Sequence, residues 1–175
     1  MPTVVFLDLD GTLWEQGVVP ESAQVAIRAA QANGHKFLTN TGRARSEVSD
    51  LAYVGLDGYC FAADAEVILD GHHVVDTRMD ATLAKAVAAV FDSFGLNYNY
   101  EGGDASWMTV NDKAAHHAMV SAFSGKPDPI MSVPPASEMT DADDASIHKM
   151  FYHGASIDYA PVAAQMPEGD AVQPL

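Results

Sequence analysis

Asp8 and Asp10 stand one residue apart in FLDLDGTLW, residues 6–14, behind an apolar run and directly before a glycine. Strand side chains alternate, so two acids at this spacing point to one side while Leu9 packs away from them. Like charges this close are costly unless a cation offsets them or one carboxyl is protonated. A surface turn explains an Asp-Gly pair by itself, but not a pair of acids closing a buried strand. The alternative is chemistry that needs two carboxylates: Asp8 attacking phosphorus, and Asp10 protonating the leaving oxygen and later activating water. Mg²⁺, which takes hard oxygen ligands, is the expected cation and cofactor.

Thr39, Asn40, Thr41, Gly42 and Arg43 form a second constellation. A hydroxyl, a glycine that frees backbone N–H groups and a guanidinium suit phosphate oxygens. An ordinary strand-to-helix turn with Thr41 as N-cap accounts for the same residues. Position favours the phosphate reading, because in a βαβ unit both strand exits lie on one edge of the sheet, where ligand crevices form.

The elements that position these residues are readable from periodicity. Residues 3–9 are predicted as a strand buried on both faces. Pro20 and Glu21 open a helix with Ala23, Ala26, Ile27 and Ala30 on one face, closed by Gly34. A strand follows at 35–40, then a helix at 44–53 presenting Val48, Leu51 and Ala52 and stopping near Gly55. This βαβα order implies a parallel sheet. Beyond Gly58, Asp70-Gly71 between two apolar runs predicts a hairpin. A helix is expected at 80–94, with Asp80 as N-cap and Leu83, Val87, Val90, Phe91 and Phe94 in one stripe. Further expectations are a short strand at 105–110, a helix from Asn111 to about Phe123, a loop over 124–145 with a short strand at 130–133, a strand at 147–154 and a weak helix at 158–165. The expected division is a core of residues 1–75 and an α+β unit of residues 76–175.

Composition narrows the classes. Across 175 residues, 24 acidic against 9 basic side chains give a formal charge of −15, so a nucleic-acid partner is not expected. With 48% hydrophobic residues the chain can build a core. Cys60 is the single cysteine, which excludes an internal disulfide. The N-terminus has no basic region followed by a long apolar run, and no apolar stretch is long enough to span a bilayer, so neither secretion nor a membrane is expected and a cytoplasmic location is.

DLDGTL at 8–13 resembles the first motif of the haloacid dehalogenase-like superfamily, and NTGR at 40–43 resembles the second motif of its Cof-like sugar-phosphatase branch. The resemblance implies an α/β fold: a Rossmann-like core with a parallel sheet and an inserted α+β cap. It implies that Asp8 is the nucleophile and a Mg²⁺ ligand, that Asp10 is the acid/base and offers its backbone carbonyl to the metal, and that Thr41 binds phosphate, with Gly42 and Arg43 beside it. The expected substrate is a small phosphorylated metabolite such as a sugar phosphate. Where the family usually has Asn-Gly-Ala in the strand and hairpin before its inserted cap, this chain has Ala63, Asp64 and Ala65. The family pattern continues past the cap to a third-motif lysine and a fourth, acidic motif. Lys126 and the Glu168-Gly169-Asp170 run do not match these, so the chain is expected to be truncated, the missing motifs supplied by its C-terminal part or by a partner, with self-association as one option. The competing expectation is a non-catalytic interaction or regulatory domain.

Other candidates have plainer readings. Adjacent histidines at 72–73 and 116–117 each offer at most one metal ligand. Trp14 is expected either to line the active-site mouth or to pack beneath it. Trp107, Tyr98 and Tyr100 are assigned to the core of the second unit, Lys149 to a structural role, and Asp141, Asp143 and Asp144 to a solvated loop.

Overall fold

Glu21–Gln31 form the first helix, α1, which follows Pro20 and connects two neighbouring strands, β1 (Val4–Leu7) and β2 (Lys36–Asn40). The computed structural model describes residues 1–15, 17–48, 50–109, 135–140, 146–153 and 158–167. The expected helix at 111–123, the strand at 130–133, Lys126, His116-His117, the acids 141–144 and the run 168–170 lie outside the described residues.

β1 and β2 pair in parallel, Leu7 opposite Thr39, and β2 pairs in parallel with β3 (Gly58–Phe61). The chain then turns back. β4 (Glu66–Leu69) and β5 (His72–Asp76) add antiparallel, completing a five-stranded sheet in the order β1-β2-β3-β4-β5. Asp70 and Gly71, at φ 48° and 79°, make the tight β4–β5 turn that the Asp-Gly pair predicts. This is the Rossmann-like α/β arrangement, with an antiparallel addition at one side.

Under this sheet lie Leu9, Leu13, Trp14, Val19, Ile27, Leu51 and Val54, with Leu7, Phe37 and Tyr59 packed against them. The strand buried on both faces is corrected by the structure. Val4 and Phe6 are 54% and 56% exposed, because the core covers only the face that carries Leu7. Ala26, expected on the buried face of α1, is exposed.

A second sheet has the order β7-β6-β8, all antiparallel, from β6 (Asn97–Gly102), β7 (Ser106–Met108) and β8 (Ile147–His153). Helix α2 (Ala81–Ser93) begins at Asp80, whose carboxylate accepts from the Thr82 and Leu83 amides as expected of an N-cap. Its Val87, Ala88 and Phe91 meet Leu96 and Tyr98, and Val162 of the short helix α3 (Tyr159–Ala163) closes this second core. Tyr98 thus belongs to that core, as expected, and its hydroxyl donates to Asp92 at 3.1 Å.

Among the described residues of 44–53 the expected helix does not form. Two 3-10 turns replace it, Arg45–Glu47 and Ala52–Val54, the second ending on Gly55 in the left-handed region. The apolar spacing of Val48, Leu51 and Ala52 is helical, but Arg45 and Ser46 are drawn to partners on other elements, described next.

Candidate active site at the β1 and β2 exits

The site begins where β1 ends. The Asp8 carbonyl accepts from the Leu13 amide at 3.0 Å, and the Leu9 carbonyl accepts from Trp14 at 3.1 Å, so residues 8–14 fold into a tight reversal. Gly11, at φ 73°, supplies the left-handed residue this turn requires. Asp8 is exposed at the sheet edge, and Thr12 lies 3.5 Å from its Oδ2. Leu9 is fully buried, the alternation that sends its two acidic neighbours outward.

Asp10 is held on both oxygens. Arg43 donates Nε to Oδ2 at 2.8 Å and Nη2 to Oδ1 at 2.9 Å, while Trp14 Nε1 donates to Oδ1 at 3.2 Å. Partial burial works to raise the Asp10 pKa, but the hydrogen bonds and charge of Arg43, with Trp14, outweigh it and hold the carboxyl below its ordinary value. Asp10 is therefore firmly ionised in this arrangement. Trp14 does two things: its ring is buried in the core, and its N–H orients Asp10. The Arg43 guanidinium also lies 5.7 Å over the Trp14 ring.

The β2 exit supplies the second wall. Thr41 is 3% exposed, and its hydroxyl accepts from the Arg43 amide at 3.2 Å, a local turn rather than the cap of a helix. A Cβ added at Gly42 would meet nothing within 4 Å, so packing does not impose the glycine there; the space beside it is open. The Thr41 and Arg43 carbonyls accept from the Ala63 and Ala62 amides at 3.3 and 2.8 Å. Ala62, Ala63 and Asp64 all have φ between 52° and 69°, a left-handed run without glycine, in the segment where the sequence departs from Asn-Gly-Ala. Backbone strain thus sits directly beneath the Thr41–Arg43 loop.

The second sheet reaches the same loop. Ser46 Oγ donates to the Gly102 carbonyl at 2.7 Å and meets Ser106 Oγ at 2.8 Å. Arg45 pairs with Glu66 at 2.9 Å and Asp104 at 3.0 Å, Glu66 being 1% exposed. Lys149, on β8, donates Nζ to the Gly42 carbonyl and makes an ion pair with buried Glu101 at 2.7 Å. Close by, Glu47 is pushed up to about 8 by desolvation first and by the Glu101 charge second, which Lys149 and Arg43 only partly offset. Nearby, Asp76 joins the sheets through His148 at 2.8 Å, and hydrogen bonds from Arg78 and His148 depress its pKa strongly.

The structure therefore joins Asp10 to Arg43 directly and sets Asp8, Thr41 and Gly42 on the loops that leave the same sheet edge. Sequence reasoning gave Lys149 a structural role and passed over Glu47 and Glu101. No local pattern marks them, since Lys149 meets a carbonyl 107 residues away. Among the described residues no group of three or more His, Cys, Asp or Glu side chains could hold a metal ion. The donors at the exit are hard oxygens, an exposed Asp8 carboxylate and loop carbonyls. They fit an ion such as Mg²⁺, which is commonly bound through one or two carboxylates and keeps several waters. No described helix is long and apolar enough to cross a membrane.

A family model described as haloacid dehalogenase-like hydrolase matches residues 5–168. Among solved structures, the chain resembles the HAD subclass IIB sugar phosphatase BT4131, with 19% identity over 95% of this chain and 64% of that one and a TM-score of 0.73. It resembles BT1666 of Bacteroides thetaiotaomicron, a phosphatase of the same superfamily, with 22% identity, 82% and 51% coverage and a TM-score of 0.60. A haloacid dehalogenase-like hydrolase from B. subtilis matches with 25% identity, 75% and 48% coverage and a TM-score of 0.59. No curated protein matches the sequence. The chain spans less than two thirds of the length of these solved relatives.

Proposed function

Because the chain belongs to the haloacid dehalogenase-like hydrolase family, we propose that it carries the nucleophile and phosphate loops of a phosphomonoester hydrolase acting on small phosphorylated metabolites, sugar phosphates being the first class to test. One observation carries this reading: the Arg43 guanidinium from the β2 exit closes on Asp10 from the β1 exit, so the two loops form one site beside exposed Asp8. The sugar-phosphatase neighbour supports the substrate class.

Asp8 Oδ attacks phosphorus, and the bond to the leaving oxygen breaks as an aspartyl-phosphate forms on Asp8. A protonated Asp10 carboxyl gives its proton to that oxygen. The resulting carboxylate then takes a proton from the water that cleaves the aspartyl-phosphate. Asp10 is ionised while Arg43 grips it, so the acid role requires a phosphate to draw the guanidinium away; an anion with paired acceptor oxygens competes for the same fork of donors. Thr41 and the open backbone beside Gly42 hold the remaining phosphate oxygens. Asp8 and the Asp10 carbonyl would hold Mg²⁺, which supplies charge neutralisation between the carboxylate and phosphate.

The test is Mg²⁺-dependent phosphate release from a panel of sugar phosphates and nucleotides, with the D8N variant alongside. Release by the native chain and none by D8N is expected. Equal background rates in both would remove the hydrolase reading for this polypeptide and leave the non-catalytic one.

A further inference from the structure

Lys149 stands out among the charged groups that the proposed reaction does not use. It lies on the second sheet, yet its ammonium ends at the backbone of the loop between Thr41 and Arg43, on the Gly42 carbonyl. A lysine whose only task was to neutralise Glu101 could do so within the sheet, because β6 and β8 place Glu101 and Lys149 directly opposite one another. Its reach to Gly42 is an additional contact, on the residue between Thr41 and Arg43, whose own carbonyls are held by the Ala63 and Ala62 amides. This segment forms no α-helix, and two of its amides rest on side chains, Arg43 N on Thr41 Oγ1 at 3.2 Å and Ala44 N on Glu47 Oε2 at 3.3 Å, while Thr41 N donates to the Cys60 carbonyl at 3.0 Å. Two neighbouring contacts come from the same sheet, Ser46 to Gly102 and Arg45 to Asp104. Gly103 fits closely there, since a Cβ on it would come within 2.6 Å of Arg45 Nη2.

We propose that Lys149 is a positioning residue of the phosphate loop: anchored by Glu101, it fixes the Gly42 carbonyl and thereby the turn that presents Thr41 and Arg43, so that the site takes its geometry only when the second sheet is docked. The catalytic consequence rests on the hydrolase reading above; the mechanical one does not. The charges facing Lys149 are Glu101 on its own sheet and, from the core, Glu47, with Arg43 beyond it. Removing Lys149 alone leaves Glu101 buried and unpaired, which is itself destabilising. The informative variant is therefore the double substitution E101Q/K149M, with K149R as the conservative one.

Hydrogen exchange of the Arg43 and Ala44 amides is measured in the full chain without ligand, beside exchange in α1 as an internal reference. Exchange at the two loop amides at least tenfold faster in E101Q/K149M, unchanged exchange in α1 and partial recovery in K149R are expected. Unchanged loop exchange in a folded double variant overturns the proposal. Titration with inorganic phosphate and Mg²⁺ separates the two readings: weaker binding in the double variant than in the native chain extends the proposal to the site, whereas no binding by the native chain with faster loop exchange in the variant removes the hydrolase reading alone.

Discussion

Arg43 grips Asp10 through two nearly equal hydrogen bonds, 2.8 and 2.9 Å, across 33 residues of sequence. This fork is planar recognition that a lysine could not reproduce. It sets the first prediction. The folded Asp10 pKa lies below its ordinary value, so the pair contributes stability above the unfolded pKa and loses it as pH falls through the folded one. In R43Q the Asp10 carboxyl is expected to titrate at higher pH, with its midpoint followed by carbon-detected NMR. An unshifted midpoint would show that Arg43 does not govern this acid.

Glu47 predicts the opposite slope. Its pKa is raised from 4.5 to about 8, chiefly by desolvation and then by Glu101. A carboxyl raised on folding stabilises fully below its unfolded pKa, and that contribution is lost as pH climbs toward 8. Urea midpoints at pH 5, 6.5 and 8 are expected to fall in the native chain and to fall less in E47Q. A parallel decline in both proteins would assign the slope to other groups.

Ala63 stands at φ 54° beneath the Thr41–Arg43 loop. A left-handed conformation costs an L-residue about 1 kcal/mol, and glycine avoids that cost. A63G is expected to raise the thermal midpoint by about 2–4 °C. A lower midpoint would mean that the left-handed run is not strained at this residue.

Asp80 accepts from two amides at the start of α2, at 2.8 and 3.3 Å. D80A is expected to cost about 1 kcal/mol. D80N keeps an acceptor and is expected to recover most of it, which calorimetry of the three proteins would check.

How far the sequence could be read followed the range of the forces involved. β1, β2, the Asp70-Gly71 hairpin and α2 with its Asp80 cap were legible because alternation, turn chemistry and capping act over a few residues. The expected helix at 44–53 failed because Arg45 and Ser46 are bound by Glu66, Gly102, Asp104 and Ser106, contacts that override a helical spacing of apolar residues. Asp8, Asp10, Thr41, Gly42 and Arg43 were recognisable as donors and acceptors at two strand exits. That Arg43 would spend its guanidinium on Asp10 was not, since either acid or a phosphate would satisfy it. Lys149 is one of several half-buried residues in its strand, and nothing near it in sequence announces Gly42.

The contacts that hold the Thr41–Ser46 segment have a consequence for the order in which the protein forms. Ser46 meets Gly102 across 56 residues and Ser106 across 60, and Lys149 meets Gly42 across 107. Each closes a long loop of chain, an entropic cost that must be met before the contact returns anything. The two sheets can each begin from hairpins and neighbouring strands. The segment between them waits for both, so the candidate site is among the late-maturing parts of the fold, and a chain arrested before the sheets meet would have its strands and no ordered Thr41–Ser46 segment.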